Sequence, residues 1–258
     1  MSSLKDLASL IMIPSLVKDG RLDTVKPLGN SIIHPDATGN NDGTDGSTPA
    51  EGNFTFTRGS NLSATRVDAS QLIEKGRENV LLQSNQFDTT WVNSNTTETS
   101  GQSGYDGTNN AWLIEKGGFA NARIQQSVSA TGVQTFSVYA KAGSLSWISM
   151  LILGSGIPDV WFDLSNGTIG GNSDNITTKI EAVGNGFYRC SITYNVSISE
   201  VRIYPAEANN STGAVAGNIY IQYAQVEQGL VATPYIETGA TTAQAGILEN
   251  TPRLDYSG

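Results

Sequence analysis

Side chains that could perform covalent catalysis are scarce in this chain. It holds one histidine, His34, and one cysteine, Cys190, among 258 residues. A Ser-His-Asp or Cys-His arrangement needs an imidazole that activates the nucleophile, and no Gly-x-Ser-x-Gly motif accompanies His34. We therefore expect no nucleophilic catalysis. Cys190 alternates with Tyr188 and Ile192, so we interpret it as a small buried hydrophobe.

Carboxylates are the remaining catalytic candidates, because glycoside hydrolysis uses two carboxyl groups whose spacing is set in space and not in sequence. A depolymerase would need such a pair about 5–10 Å apart in a groove. Four acidic residues qualify by position alone: Asp159, Asp163, Asp174 and Glu200. Surface acidity explains them more simply, so we predict that the chain is not an enzyme.

Metal ligands are also few. Asp36, Asp42 and Asp45 could offer oxygen atoms to calcium, but they lack the twelve-residue loop spacing and the terminal glutamate of an EF-hand. His34 has no second histidine or cysteine cluster with which to bind zinc. We predict no metal site and no cofactor.

Aromatic side chains are the candidates for binding. A flat ring can stack on a sugar, and Asn, Asp or Gln beside it can hydrogen-bond the hydroxyl groups. Tyr139, Trp147 and Tyr204 are the candidate glycan contacts, and Trp161 and Tyr220 are further aromatics in predicted strands. Burial in the core is the alternative for Trp147 and Trp161.

Short strands must position these rings, and residues 134–153 show the pattern most clearly. Apolar and polar residues alternate from Phe136 to Lys141, which predicts a half-buried strand. Gly143 follows in a turn where it is free to take a positive φ, and an apolar run ends at Leu153. We predict a hairpin here. Because two strands alone are marginal in water, further strands must cover it.

The same pattern predicts nine strands from residue 111 onward, with Gly/Asn-rich turns between them. They are Ala111–Glu115, Ala122–Val128, Thr135–Lys141, Ser146–Leu153, Asp159–Leu164, Ile176–Ala182, Phe187–Val196, Glu200–Tyr204 and Asn218–Glu227. Many short strands with regular turns indicate an all-β fold, and we predict an antiparallel, jelly-roll-like β-sandwich. The polar stretch Asn93–Asn110 is predicted to be an exposed, functional loop.

The flanking segments lack this alternation. We therefore predict that the chain is divided into four segments. They are a docking arm with a Gly/Asn/Asp-rich linker (1–53), a strand-containing connector (54–84), the sandwich (85–236) and an extended C-terminal tail (237–258). A short amphipathic helix that ends at Pro14 is predicted within the extended N-terminal arm. Because so short a helix is unstable alone, we expect it to dock on a partner through Leu4, Leu7, Leu10 and Ile11.

Charge and hydropathy exclude two classes of partner. The net charge of −9 disfavours nucleic acid and anionic membranes, which reward basic surfaces. The most apolar N-terminal stretch, Leu7–Val17, is far shorter than the roughly 20 residues that span a bilayer. It also lacks the features of a secretory signal, and the single cysteine fits a reducing cytoplasm.

Several stretches resemble a module of tailed-bacteriophage virion proteins, found in tail, collar and head fibres. They are Phe54–Asp68, Leu72–Asn79, Leu81–Trp91, Phe136–Gly143, Trp161–Thr168, Gly184–Cys190, Ile219–Gly229 and Thr233–Glu237. The resemblance covers roughly residues 54–258, and such modules look like carbohydrate-binding β-sandwiches. In relatives, the stretch that corresponds to Thr251–Gly258 often leads into a further domain, so we expect a one-module version here.

The resemblance implies a non-enzymatic virion structural protein, such as a fibre, spike, collar or tail component, assembled in the cytoplasm of the bacterial host. The N-terminal arm would anchor it to capsid, portal, collar or tail proteins, and by analogy it would form a homo-oligomer, with a trimer favoured. The alternative is an adhesin module that binds a host surface glycan, and both roles can hold together. A polysaccharide depolymerase is the third hypothesis.

Overall fold

The computed structural model describes residues 76–154, 159–171 and 176–246 in full, and the backbone of five short strands before them. The chain divides into two compact units: Met1–Gly76 with Gly246–Gly258, and Arg77–Ala245. The first unit contains two small antiparallel sheets. One joins β1 (Pro14–Lys18), β2 (Arg21–Thr24) and β3 (Phe54–Thr55), and the other joins β4 (Thr65–Val67) and β5 (Ile73–Lys75).

Phe54 and Phe56 alternate with threonine in the sequence, which predicts a short strand, and β3 confirms that strand at Phe54. The predicted N-terminal helix with Leu4, Leu7, Leu10 and Ile11 lies outside the described residues, as do the linker 29–53 and the end of the tail from residue 247. The predicted limits of the four segments stay predictions.

The second unit is a sandwich of two six-stranded antiparallel sheets. The Trp147 sheet contains, in spatial order, β14 (Thr168–Ile169), β13 (Val160–Asp163), β12 (Trp147–Leu153), β17 (Ile198–Ala206), β10 (Arg123–Ala130) and β7 (Val92–Ser94). The Tyr139 sheet contains β15 (Thr177–Gly184), β16 (Phe187–Asn195), β11 (Val133–Ala142), β18 (Gly217–Gln228), β9 (Ala111–Lys116) and β8 (Thr96–Gln102). A short pair, β6 (Arg77–Asn79) with β19 (Ala243–Ala245), completes the unit.

The predicted fold class is confirmed, because the described residues form an all-β, jelly-roll-like sandwich and contain no helix. All nine predicted strands are present, with ends that shift by one or two residues. Among the described residues there is also no helical segment of the length and apolarity needed to cross a membrane.

Alternate side chains of both sheets fill the core between them. Phe136 and Val138 from β11 meet Ile148 and Met150 from β12 in one buried cluster. Cys190 is fully buried in the same cluster, and burial raises the pKa of its thiol. Its interpretation as a buried hydrophobe is therefore confirmed.

The predicted hairpin of residues 134–153 is wrong, since β11 and β12 lie in different sheets and do not pair. The turn between them crosses from one layer to the other, with Leu145 N–H donating to Asn218 O at 3.0 Å. Gly143 does not take a positive φ. Glycine is needed there for a different reason: a Cβ at Gly143 would lie 2.6 Å from Asn218 O. Alternation shows that each strand has a buried face but not which sheet it joins.

The stretch Asn93–Asn110 is only partly a loop, because β7 ends and β8 runs within it. These are the edge strands of the two sheets, and edge strands in natural proteins are often polar, which limits pairing with other chains. Because this stretch is polar, its composition predicts a loop although two strands, β7 and β8, lie partly or wholly within it. The loop itself is confined to residues 103–110.

The chain after β18 returns across the outer side of the Tyr139 sheet. Asn79 fastens it, because its side-chain amide donates to Ala224 O at 3.3 Å and to Ile236 O at 2.8 Å. The Oδ1 atom of Asn79 accepts from the N–H groups of Leu81 and Val226, so all four hydrogen bonds of this buried side chain are made. The described part of the predicted tail up to Ala245 belongs to the same unit, since Thr238 N–H donates to Ser84 Oγ at 3.1 Å and β19 pairs with β6.

Candidate functional site

Successive side chains of a strand point to opposite faces of the sheet, and this alternation places a set of aromatic side chains on the face away from the core. On β11, Val138 and Ala140 point inward, so Tyr139 and Lys141 lie on the outer side of the Tyr139 sheet. On the neighbouring β18, Ile219 and Ile221 point inward, so Tyr220 lies on the same outer side.

A β-bulge in β18 adds a further ring. Ser137 pairs with Gln225 whereas Tyr139 pairs with Gln222, so two residues of β18 lie opposite one residue of β11. Tyr223, the first of the two, has a φ of 54°. Its N–H donates to Asn85 Oδ1 at 2.8 Å, and this bond holds the strained residue with its ring outward.

We name the resulting surface the aromatic stripe, which consists of Tyr105, Tyr139, Phe187, Tyr220, Tyr223 and Tyr235. Tyr105 stacks on Tyr139 with ring centroids 4.4 Å apart and a 10° interplanar angle. Tyr235 stacks on Tyr223 at 4.2 Å and 16°, and Tyr223 meets Tyr105 edge to face at 6.0 Å. Tyr139 and Phe187 are buried, and the other four rings are partly exposed. The stripe therefore has a rigid floor and accessible ring surface above it.

Asp106 anchors the loop that carries Tyr105. Its carboxylate accepts from the Tyr223 hydroxyl at 3.0 Å and from Thr108 Oγ1 at 2.6 Å, and Gln222 Nε2 lies 3.4 Å away. Burial acts to raise the pKa of Asp106, but the hydrogen bonds from Thr108, Tyr223 and Gln222 together lower it. The pKa of Tyr105 is raised to about 12, first by burial and then by its neighbour Tyr139, so this phenol stays neutral.

Two cations belong to the same surface. Lys141 Nζ lies 4.8 Å from the ring centroids of both Phe187 and Tyr220. Arg189 Cζ lies 5.2 Å from the Tyr139 centroid, and its Nη2 donates to Ser137 Oγ at 3.1 Å. Positive charge placed over ring faces at these distances is held by cation–π attraction.

The three predicted glycan contacts do not come together in one site. Tyr139 belongs to the aromatic stripe, where it is 6% exposed beneath Tyr105. Trp147 and Tyr204 lie on the outer side of the Trp147 sheet, because they alternate with inward-facing residues of β12 and β17. Their contact with a glycan stays a prediction.

Two of the aromatic side chains on the outer side of the Trp147 sheet are less exposed than the four accessible rings of the stripe. Tyr204 and Trp161 flank Ser149 on the neighbouring strands and are only 5% and 6% exposed. Trp147 is partly exposed, so burial in the core does not describe it. Trp161 is buried, although on the outer side of the sheet and not in the core cluster between the sheets. Ser149 Oγ is buried there without a hydrogen-bond partner.

The described carboxylates singled out by sequence have mainly structural neighbours. Asp163 accepts from the N–H groups of Ser165 and Asn166 and so caps its own turn. Glu200 pairs with Arg202, and burial raises the pKa of Asp159 although Arg202 acts to lower it. Asp174 lies outside the described residues. Within those residues, no group of three or more His, Cys, Asp or Glu side chains could hold a metal ion.

Sequence reasoning missed three of the four partly exposed rings of the stripe, namely Tyr105, Tyr223 and Tyr235. Tyr105 lies within Asn93–Asn110, the predicted functional loop, but the sequence does not single it out among the residues of that loop. Tyr223 breaks the alternation of β18, and Tyr235 belongs to Thr233–Glu237, one of the stretches that resemble phage modules. An unexpected aromatic within an alternating strand is the signal that could have identified Tyr223.

Comparison with protein-family models found no match, and neither did comparison with curated protein sequences. Among solved structures, the chain is similar to the CBM22-1-GH10 modules of the Clostridium thermocellum endo-1,4-beta-D-xylanase 10B, complexed with xylohexaose, at 15% identity and a TM-score of 0.34. That match covers 59% of this chain and only 28% of the xylanase chain. The CBM22-1 xylan-binding domain of Paenibacillus barcinonensis Xyn10C matches at 12% identity and a TM-score of 0.32, over 58% of this chain and 90% of that domain. At these TM-scores the likeness carries no argument about the site or its ligand.

Proposed function

We propose that the unit Arg77–Ala245 is a non-catalytic carbohydrate-binding module whose ligand lies on the aromatic stripe. The observation that carries the proposal is the set of four partly exposed tyrosine rings on one sheet face, with fixed polar groups among them. A sugar ring has an apolar C–H face and a polar rim, so it suits a site that combines ring surface with hydrogen-bonding groups.

Pre-organisation supports the same reading. Tyr105 is held by stacking on Tyr139, and its N–H donates to Gln222 Oε1 at 3.1 Å. Tyr223 is held by Tyr235 on one side and by its hydroxyl bond to Asp106 on the other. Rings that are already fixed lose little conformational entropy when a ligand binds, which favours affinity.

The stripe is a better candidate than the Trp147 sheet because it holds four partly exposed rings, whereas of Trp147, Trp161 and Tyr204 only Trp147 is partly exposed. On the stripe, the hydroxyl of Tyr223 lies 3.0 Å from Asp106 Oδ2 and 3.5 Å from Asn110 Nδ2.

A glycan array followed by calorimetry tests the proposal. Loss of one stacking ring costs about 0.5–1.5 kcal/mol, so Tyr105→Ala should weaken binding roughly 2- to 13-fold, whereas Tyr105→Phe should retain it. Phe119→Ala is the matched control, because Phe119 is 57% exposed on a loop outside the stripe. Absence of binding to any glycan, or equal losses for Tyr105→Ala and Phe119→Ala, would contradict the proposal.

The predicted contacts are tested by the same array. If the ligand uses the Trp147 sheet instead, Trp147→Ala or Tyr204→Ala will remove the signal and Tyr105→Ala will not. That result would move the site to the other sheet while leaving the module a glycan binder.

We further propose that this module is displayed on a bacteriophage particle, either as a structural fibre or as a host adhesin. What supports it is the resemblance of eight stretches to virion modules. Four of these stretches carry rings of the stripe, and a fifth, Leu81–Trp91, holds Tyr223 through Asn85. The N-terminal arm would dock on other virion proteins through Leu4, Leu7, Leu10 and Ile11, and the chain would assemble as a homotrimer in the host cytoplasm.

Deletion of residues 1–28 tests the docking. The truncated protein should keep its sandwich fold by circular dichroism but fail to enter particles. If it still enters particles, the arm is not the anchor. Light scattering on the purified full chain tests the trimer, and a monomeric mass at micromolar concentration would refute it.

A further inference from the structure

Lys141 differs from the other cations of the described ranges. Those ranges contain seven Lys and Arg side chains, of which Lys116, Lys179 and Arg202 are ion-paired. Arg77, Arg123 and Arg189 each donate at least one hydrogen bond. Lys141 has neither kind of partner within the described part of the chain, and its ammonium group lies between two rings instead.

The position of the Lys141 ammonium group is fixed by its surroundings. Phe187 and Tyr220 hold it from two sides at 4.8 Å each. Its stem packs against Gly186, where an added Cβ would lie 3.3 Å from Lys141 Cδ. A lysine side chain normally carries up to about 2 kcal/mol of rotamer entropy, and part of that cost is already met before any ligand arrives.

The stripe carries a negative charge from Asp106 beside Tyr223 and a positive charge from Lys141 beside Tyr220. The Asp106 carboxylate is already occupied by donors from Thr108 and Tyr223. The Lys141 ammonium beside Tyr220 retains three donors that no acceptor uses. An anion on the ligand would therefore gain most at Lys141.

We propose that Lys141 makes the aromatic stripe selective for acidic glycans, with the carboxylate of a uronic acid residue paired to its ammonium group. This inference rests on the proposed function. The sugar ring lies against the exposed face of Tyr220 or Tyr105, and its carboxylate reaches the neighbouring nitrogen. The ion pair is stronger here than on open surface, because Lys141 is half-buried among rings.

The net negative charge of the chain helps to separate specific from non-specific binding of an acidic glycan. A net charge of −9 repels a polyanionic glycan at a distance, so non-specific attraction does not account for binding of an acidic sugar. Selectivity then depends on Lys141, the one Lys or Arg of the described ranges that has neither an ion pair nor a hydrogen bond. Salt screens the ion pair and the long-range repulsion alike, so every affinity is compared at one fixed ionic strength.

The experiment presents the full chain with paired oligosaccharides: oligogalacturonate, alginate and hyaluronan, each beside its carboxyl-reduced counterpart. We expect the acidic member of a pair to bind about tenfold more tightly, which corresponds to about 1.4 kcal/mol. A fully buried charge-assisted hydrogen bond stabilises by more than this, but Lys141 is only half-buried. Lys141→Met, which keeps the stem, should abolish that preference, and Lys141→Arg should retain it. Lys179→Met is the control, because Lys179 is exposed on β15 and pairs with Glu181.

The outcomes separate the two proposals. Binding of both members with equal affinity, sensitive to Tyr105→Ala, would overturn the acidic selectivity and leave carbohydrate binding intact. An acidic preference that survives Lys141→Met would likewise overturn the role of Lys141. Absence of binding to every member would overturn the acidic selectivity, and the glycan array then decides whether the stripe binds any carbohydrate. If Lys141→Met does not fold, Lys141→Gln, which also removes the charge, decides the question: an acidic preference that survives it would overturn the role of Lys141.

Discussion

Lys116 provides the sharpest test of how the sandwich is held together. Its side chain is completely buried on the core side of β9, where Nζ lies 2.7 Å from Gly213 O and 3.2 Å from Glu207 Oε2. Pro205 O lies at 3.4 Å. One ammonium group thus joins the end of β17 to the loop that follows it. We expect Lys116→Met, which preserves volume, to destabilise the sandwich.

The size of the loss follows from what Glu207 retains. Removing one partner of a fully buried ion pair costs about 3–5 kcal/mol. Glu207 is 17% exposed, and it still accepts from Ser211 Oγ and Gly213 N, so its charge is not left unsolvated. We therefore expect about 2–4 kcal/mol for Lys116→Met.

Urea unfolding followed by tryptophan fluorescence measures this loss in the full chain. All four tryptophans, Trp91, Trp112, Trp147 and Trp161, lie in the unit Arg77–Ala245, so the signal reports on that unit. A double-mutant cycle with Glu207→Gln isolates the pair. Because the double variant leaves no buried charge, it should cost less than the sum of the single variants.

Two results would refute the reasoning about Lys116. A loss under about 0.5 kcal/mol would mean that the ammonium group contributes no more than a surface pair. Additive costs for Lys116→Met and Glu207→Gln would mean that the two groups do not interact. The first result would assign the buried position of Lys116 to packing of its stem, and the second would assign it to the stem and the hydrogen bonds to Gly213 O and Pro205 O.

Three further predictions follow from particular contacts. Because hydrogen bonds lower the folded-state pKa of Asp106 below its ordinary value of 3.8, its stabilisation of the Tyr105 loop is present above that pH and is lost as the pH falls through the lowered pKa. Calorimetry with a neutral glycan should thus show constant affinity from pH 8 to 5 and a decline only below about 3.8. Gly143→Ala should cost about 1–3 kcal/mol in urea unfolding because its Cβ would collide with backbone, whereas Gly239→Ala, with no atom within 4 Å, should cost little. Asn79→Leu should cost about 2–4 kcal/mol, since four buried backbone groups lose their partner, and a loss below 1 kcal/mol would mean that water replaces the amide.

The strands could be predicted from sequence because alternation is a local property. Phe136 and Val138 on β11 identify a buried face whatever the partner strand, and the same holds for Ile148 and Met150 on β12. The choice between a hairpin and a crossing of layers depends instead on Asn218, which is 75 residues beyond Gly143 and holds the turn. No local pattern carries that information.

The candidate site divides in the same way. That Tyr139 faces outward follows from parity alone. Its partner Tyr105 required the fold of a loop, and Tyr223 required a bulge whose cause is Asn85, 138 residues away. Rings brought together by long-range contacts cannot be assembled from their spacing in the sequence.

The contacts of Asn85 show how the segment Leu81–Trp91 shapes the stripe. Asn85 Oδ1 accepts from Tyr223 N, and Asn85 O accepts from Trp112 Nε1 at 2.9 Å. Ser84 O accepts from Ala224 N, so this segment satisfies both N–H groups that the bulge removes from the strand pairing. A segment with this role shapes the stripe without contacting a ligand.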